Sequence, residues 1–295
     1  MEDFVVVGAG PAGSRFARRA AERGHDVVVF EQGEVGTPLA CSGHLSLDLW
    51  DFLPAGAEAE LRQNEIRGAR FHLGGPHSRA YPFYQDEPIS NAVDRVALDR
   101  MLAEVAREAG ADVREHHTVT NVSEAPNGVS VTVSGPAGQE TVEARMVVGA
   151  DGPRSRVRRD LGIPEPDELL HGVLGFDRTP DDSDFVDVHL NVPRFFAWRI
   201  PRGDAGVEYG LAAPPGADVP ARFDALATGY DVDLEERCSG AIPIGPPARI
   251  TSDRGLLLGD AAAQTKPFTG GGILYGMTAA DIAARTVDPT RPATL

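Results

Sequence analysis

The pattern opens with an unbroken apolar run, Phe4-Val5-Val6-Val7, then glycines, a stretch with helical spacing, and a second run, Val27-Val28-Val29-Phe30. Short β-branched runs of this kind read as strands buried on both faces, so residues 4–31 predict strand, tight turn, helix and strand. Val96, Leu98, Leu102, Val105 and Ala109 recur near helical spacing and predict a helix over 93–109. Residues 118–149 alternate like short strands, with turn signals at Pro126-Asn127-Gly128 and Gly135-Pro136. Four more strand-like runs follow at 170–176, 185–190, 195–200 and 207–212, then a buried strand at 255–259 and a helix from 272 to 284. Sequence of α/β type at both ends, with a β-rich block between, predicts a nucleotide domain in three segments, 1–65, 91–165 and 240–295. A β-sheet domain from 66–90 and 166–239 is inserted into it.

Composition narrows the classes. The 295 residues are 42% hydrophobic and 24% charged, enough for a core and ordinary for a globular chain. No run of about 18 or more apolar residues exists to span a membrane. Met1 leads at once into a strand, so no secretory signal is read, and two cysteines, Cys41 and Cys238, make no disulfide framework. Both features fit a reduced cytoplasmic setting. The net charge is -16, and Lys266 is the only lysine. An acidic, arginine-based surface stays hydrated in molar salt, which points to a salt-loving archaeal source; a GC-rich genome also trades lysine for arginine. The same charge disfavours nucleic acid as a partner.

The first chemical motif is Gly8-Ala9-Gly10-Pro11-Ala12-Gly13, between strand and helix. Gly8 permits a tight turn, Gly10 lets backbone approach a pyrophosphate, and Gly13 lets helix and strand pack closely. Glu31 ends the next strand roughly 20 residues on, where an acid accepts from a ribose hydroxyl. Two further strands end in a small residue plus Asp: Val147-Val148-Gly149-Ala150-Asp151-Gly152 with Ser155, and Leu258-Gly259-Asp260-Ala261-Ala262 with Gly270-Gly271-Gly272. Alone, either Asp reads equally as a helix cap. In this order, the three motifs resemble the flavoprotein superfamily of aromatic hydroxylases. The resemblance implies a Rossmann-like FAD-binding domain of the α/β class with an inserted antiparallel β-sheet substrate domain. It implies FAD contacts from Gly8, Gly10, Ala12, Gly13, Glu31, Arg95, Val119, Asp151, Gly152 and Asp260, with Gly271, Gly272 and Ile273 meeting the flavin ring. There is no second Gly-rich nucleotide motif for a dedicated NAD(P)H domain. His116 and His117 have no metal-like spacing, so no metal is expected.

Pro193-Arg194-Phe195-Phe196-Ala197-Trp198-Arg199-Ile200-Pro201 points to a substrate. On a strand, Phe196, Trp198 and Ile200 share one face, which by periodicity alone is a sheet core. The motif resembles the Pro-x-x-Tyr-x-Trp-x-Phe-Pro signature of the geranylgeranyl reductase family, with Phe196 for Tyr and Ile200 for Phe. The family's trailing Gly-x-Gly is here Gly210-Leu211-Ala212. In that family a cysteine in the loop corresponding to 36–43 lies near the flavin, which makes Cys41, with Phe196 and Trp198, the candidate catalytic set. The resemblance implies reduction of C=C bonds in geranylgeranyl chains of archaeal lipids or prenyl diphosphates. An external donor would supply electrons: ferredoxin, NAD(P)H or a deazaflavin. Arg194, Arg199 or Arg202 would meet a phosphate head group. A lipid substrate implies peripheral membrane contact, although no basic amphipathic helix is present. A flavin monooxygenase is the alternative. Residues 196–201 also resemble a halogenase signature, but halogenases need an N-terminal lysine that this chain lacks. Residues 288–295 read as a linker, so a further C-terminal helical region is expected.

Overall fold

The computed structural model describes residues 1–37 and 41–293, so Pro38, Leu39 and Ala40 of the cysteine loop lie outside the described residues. The chain divides into two compact units. Unit 1 is Met1–Pro38, Asp99–Glu168 and Pro243–Leu295; unit 2 is Leu39–Leu98 and Leu169–Ile242.

Unit 1 is built on a parallel sheet whose central strand is Glu2–Val7. Val27–Phe30 and then Asp112–Arg114 lie on one side of it, and Gly138–Gly149 lies on the other. Gly138–Gly149 is long enough to serve twice. Its first part closes an antiparallel meander with Gly128–Gly135 and Thr118–Ala125; its last part joins the parallel sheet and pairs with Gly255–Leu257. Alternation sorts the side chains. Phe4, Val6, Val27 and Val29 face the helices, with Phe16 and Ala280, whereas Val5, Val7, Val28 and Phe30 face a second core with Val131 and Val157. Each such buried side chain stabilises the fold by about 1.5–3 kcal/mol, which is why both faces of these strands are apolar. The first helix, Pro11–Ala21, starts with Pro in its first turn and is tied to the last, Ile273–Thr286. The tie is the buried Arg15, whose Nε and Nη2 donate to Asp281 at 2.7 and 2.8 Å.

Unit 2 carries a seven-stranded sheet in the order 235–244, 168–177, 207–213, 197–201, 185–189, 68–72, 80–84. It is not wholly antiparallel: Phe185–His189 runs parallel to Gly68–His72. A helix, Val219–Tyr230, packs Phe223 and Leu226 on one face, against Ala197, Tyr209 and Leu211. On the other face Ile200 and Val186 meet Ile66 and Ala92 of a small three-stranded sheet. That sheet, of His44–Ser46, Ser90–Val93 and Arg62–Ile66, explains the boundary. Residues 41–65 and 91–98, read from the pattern as nucleotide-domain sequence, fall in unit 2, where His44–Ser46 and Arg62–Ile66 both pair with Ser90–Val93.

A polar group is embedded in the helix-covered face of unit 2. His189 is fully buried, stacks on His72 at 4.6 Å and shares a 2.8 Å hydrogen bond with the Tyr230 hydroxyl. Burial, then the neighbouring His72, pushes the His189 imidazole down to about 4. An unfolded histidine titrates near pH 6.5, so the neutral native form contributes stability above that pH and loses it as pH falls toward 4, by up to about 3 kcal/mol. The stability advantage of wild type over His189→Gln, measured by urea unfolding, is expected to shrink as pH falls from 7 to 4.

Candidate functional site

In unit 1 the glycine motif sits where the central strand meets the first helix. Gly8 has φ +96°, a left-handed conformation, and a Cβ there would lie 2.4 Å from the Ala150 carbonyl oxygen. A Cβ on Gly13 would lie 2.0 Å from the Gly8 oxygen. These two glycines are therefore fixed by packing. Gly10 differs: a Cβ there would meet no protein atom within 4 Å. The open space beside Gly10, at the mouth of a helix whose first N–H groups lack intrahelical partners, fits a pyrophosphate. Glu31 holds the loop by accepting from Ala9 N at 2.9 Å and Gly33 N at 3.2 Å. A carboxylate has about four acceptor positions, so a ribose hydroxyl can still be accepted.

The third motif lies against the first. Ala12 packs its methyl on Gly259 and Gly276, and a Cβ on Gly259 would approach it to 3.0 Å. Ala12 thus serves by packing and by its backbone. Asp260 lies in a short 3₁₀ turn, Gly259–Ala262, and its Oδ1 lies against Gly272, the residue capping the last helix. Gly271 and Gly272 precede that helix and Ile273 begins it. Asp260, Gly272 and the start of the last helix therefore lie together at one place. Asp260→Ala is expected to weaken FAD binding by about 10–100-fold, the worth of a charged hydrogen bond, read from flavin retained after gel filtration.

The structure separates Asp151 from Asp260 in role. The Asp151 carboxylate accepts from Ser155 Oγ at 2.5 Å and from the backbone N of Arg156 and Val157 at 2.6 and 3.1 Å. It thus satisfies the first N–H groups of the helix Arg156–Asp160, whose N-cap is Ser155, while its backbone and Gly152 continue the turn beside Gly8. Val119 buries its side chain in the second core, leaving only backbone for a ligand. Arg95 is buried rather than solvated, at the start of the helix Arg95–Glu108. One residue of this frame was missed by motif reading. Arg158, 1% exposed, donates to the carbonyls of Ala261 and Pro153 at 3.0 and 2.9 Å and pairs with Glu165. It fastens the second motif to the third; nothing local marks it apart from the other arginines of that segment.

In unit 2 Phe196 and Trp198 are half-buried with their rings 5.7 Å apart, and Ile200 is core. The Trp198 indole lies over Gly210, where a Cβ would come within 2.1 Å of the ring. Its Nε1 donates to Glu208 Oε1 at 2.9 Å. Glu208 is 0% exposed. Its Oε2 accepts from Arg202 Nη1 at 3.1 Å and from Gly43 N at 3.4 Å, two residues from Cys41. Arg202 is otherwise committed to Gln63 Oε1 and the Val93 carbonyl, and Arg199 to Asp181 and Tyr209. These two arginines are therefore structural and not head-group ligands. Glu208 was the missed residue here, and its signal was a lone carboxylate in the apolar strand Val207–Ala213. The Cys41 thiol is half-buried and donates to the Ser42 carbonyl at 3.6 Å.

The FAD binding domain family matches residues 2–208. Digeranylgeranylglycerophospholipid reductase 1 of Methanosphaera stadtmanae is 30% identical over 97% of this chain and 75% of that protein. The digeranylgeranylglycerophospholipid reductase of Methanothrix thermoacetophila is 32% identical over 97% and 77%. This chain belongs to that reductase family. Among solved structures, a geranylgeranyl bacteriochlorophyll reductase-like protein from Thermoplasma acidophilum superposes with a TM-score of 0.86 at 25% identity, over 96% of this chain and 77% of that one. As a member of the reductase family the chain is an FAD-dependent oxidoreductase. Among the described residues no helix is long and apolar enough to cross a membrane, and no group of His, Cys, Asp and Glu is arranged to hold a metal ion.

Proposed function

We propose that this enzyme hydrogenates isolated C=C bonds of geranylgeranyl chains carried by membrane lipids or their diphosphate precursors. The observation that carries the reading is the Trp198 indole, laid on Gly210 and fixed by the buried Glu208, in a chain whose relatives are named for this reduction. Reduced flavin, when bound, would supply a hydride equivalent for one alkene carbon, with a proton needed at the other. The protein's share is placement and dryness. Phe196 and Trp198 present a half-buried aromatic edge to an apolar chain and exclude water from it. Glu208 keeps the indole in one orientation and, through Gly43, holds the base of the cysteine loop. The Cys41 thiol, in that loop, has one of two roles in this scheme: it orders the flavin site or it supplies the proton. Reducing equivalents come from an external donor: ferredoxin, NAD(P)H or a deazaflavin.

Trp198→Ala tests the placement. Flavin content is expected to stay at the wild-type level while turnover per bound flavin falls at least about tenfold, a loss of roughly 1.4 kcal/mol of positioning. Loss of flavin with unchanged turnover per flavin would refute the assignment of Trp198 to the substrate.

A further inference from the structure

The face of the seven-stranded sheet that carries Trp198 continues outward as an apolar surface. Trp198 stands opposite Val188, Val188 opposite Phe71, and Phe71 opposite Tyr81 on the edge strand Ala80–Tyr84. A second row runs alongside it, from Ile200 and Val186 through Ala69 to Phe83. At the other side Leu190 hydrogen-bonds His72, which brings it next to Leu73. Four adjacent strands span roughly 14 Å. Exposure rises along that distance: Ile200 is 3% exposed, whereas Tyr81, Phe83, Leu73 and Leu190 are 41, 65, 67 and 46% exposed. A sheet edge bearing large exposed apolar side chains is what a protein without a partner there avoids.

Charge identifies the partner. The hairpin sequence from 66 to 85 holds Arg67, Arg70 and Arg79 and no Asp or Glu, between Glu65 on one side and Asp86 and Glu87 on the other, in a chain with 44 acidic residues and a net charge of -16. Arg67 and Arg70 are paired with Glu65 and Asp187, and Arg79 lies over the Tyr81 ring at 5.1 Å. Aromatic rings with an arginine at the rim suit the boundary between hydrocarbon and anionic head groups. Pro82 removes a backbone donor from the edge, which blunts strand pairing with a second copy.

We propose that the outer end of this face, Leu73, Tyr81, Phe83 and Leu190 with Arg79, docks on an anionic lipid bilayer and receives prenyl chains from it. The proposal rests on the lipid reading above, and its test is independent of turnover. The FAD-loaded protein is mixed with phosphatidylglycerol vesicles in about 1 M KCl, where a Debye length of about 3 Å removes long-range repulsion by the acidic body and leaves contact-range pairing. Wild type is expected to co-sediment with the vesicles. The double variant Leu73→Ser/Phe83→Ser is expected to bind at least about tenfold more weakly with unchanged flavin content, because it loses two inserted apolar side chains. Independently, a Tyr81→Trp reporter is expected to be quenched by brominated acyl chains. Equal binding of wild type and the double variant, absence of wild-type binding, an unquenched reporter, or a dimer that the double variant converts to monomer would each overturn the proposal. Wild type that binds vesicles but reduces neither lipid nor geranylgeranyl diphosphate would sink the catalytic reading and leave the docking surface standing.

Discussion

Glu208→Ala is expected to cost about 3–5 kcal/mol of stability and to abolish turnover. Glu208 is fully buried, and one carboxylate serves three donors: the Trp198 indole, the Arg202 guanidinium and the Gly43 amide. Truncation leaves Arg202, itself 7% exposed, as a buried cation facing no carboxylate at 208. It also frees the indole and loosens the loop that carries Cys41. Glu208→Gln separates the two effects. The amide oxygen can still accept from Trp198 while the charge pairing with Arg202 is lost. The glutamine variant is therefore expected to recover more turnover per bound flavin than the alanine variant, although both unfold at lower denaturant than wild type. Equal turnover in all three would show that Glu208 has no positioning role.

Gly13→Ala is expected to remove FAD. The new methyl would sit 2.0 Å from the Gly8 carbonyl oxygen and 3.1 Å from the Ala150 methyl. The first of these is backbone, so no side chain can swing aside, and the helix must lift off the strand. Over-packing of this kind costs about 1–3 kcal/mol and here displaces the helix N-terminus that faces the pyrophosphate. Flavin retained after gel filtration should fall to near zero while far-ultraviolet circular dichroism keeps its helical signal. Gly10→Ala provides the contrast. A methyl at Gly10 meets no protein atom, so the apoprotein is expected to be as stable as wild type, and any loss is a loss of FAD affinity alone.

Much of unit 1 was legible because its physics is local. Strands buried on both faces must be apolar at every position, so Phe4–Val7 and Val27–Phe30 announce themselves, and the predicted helix at 93–109 is found at Arg95–Glu108. The glycine turn is equally local. Unit 2 was less legible where pairing partners are far apart in sequence. The parallel match of 185–189 with 68–72 is a tertiary choice, and the hairpin 68–84 is broken by Gly74, Gly75, Pro76 and Pro82. The helix Val219–Tyr230 did leave a signal, Asp218 before Pro220 with Val219, Phe223, Leu226 and Ala227 at helical spacing. For the site, glycines and the motif tryptophan could be read, whereas the worth of a lone acid such as Glu208 depends on neighbours that only folding supplies. Asp151 and Asp260 show the same limit: two similar strand-end motifs, one accepting from the first N–H groups of a helix and the other beside Gly272.

The most direct measurement is mass spectrometry of the product. The FAD-loaded protein is reduced with dithionite in the absence of oxygen, in molar KCl, and offered geranylgeranyl diphosphate and an unsaturated archaeal ether lipid. The proposed function predicts products heavier by whole units of H2, formed by wild type and strongly reduced in Trp198→Ala. Substrate of unchanged mass, together with oxygen consumption when air and a reductant are supplied with an aromatic compound, would contradict it and make the enzyme a monooxygenase.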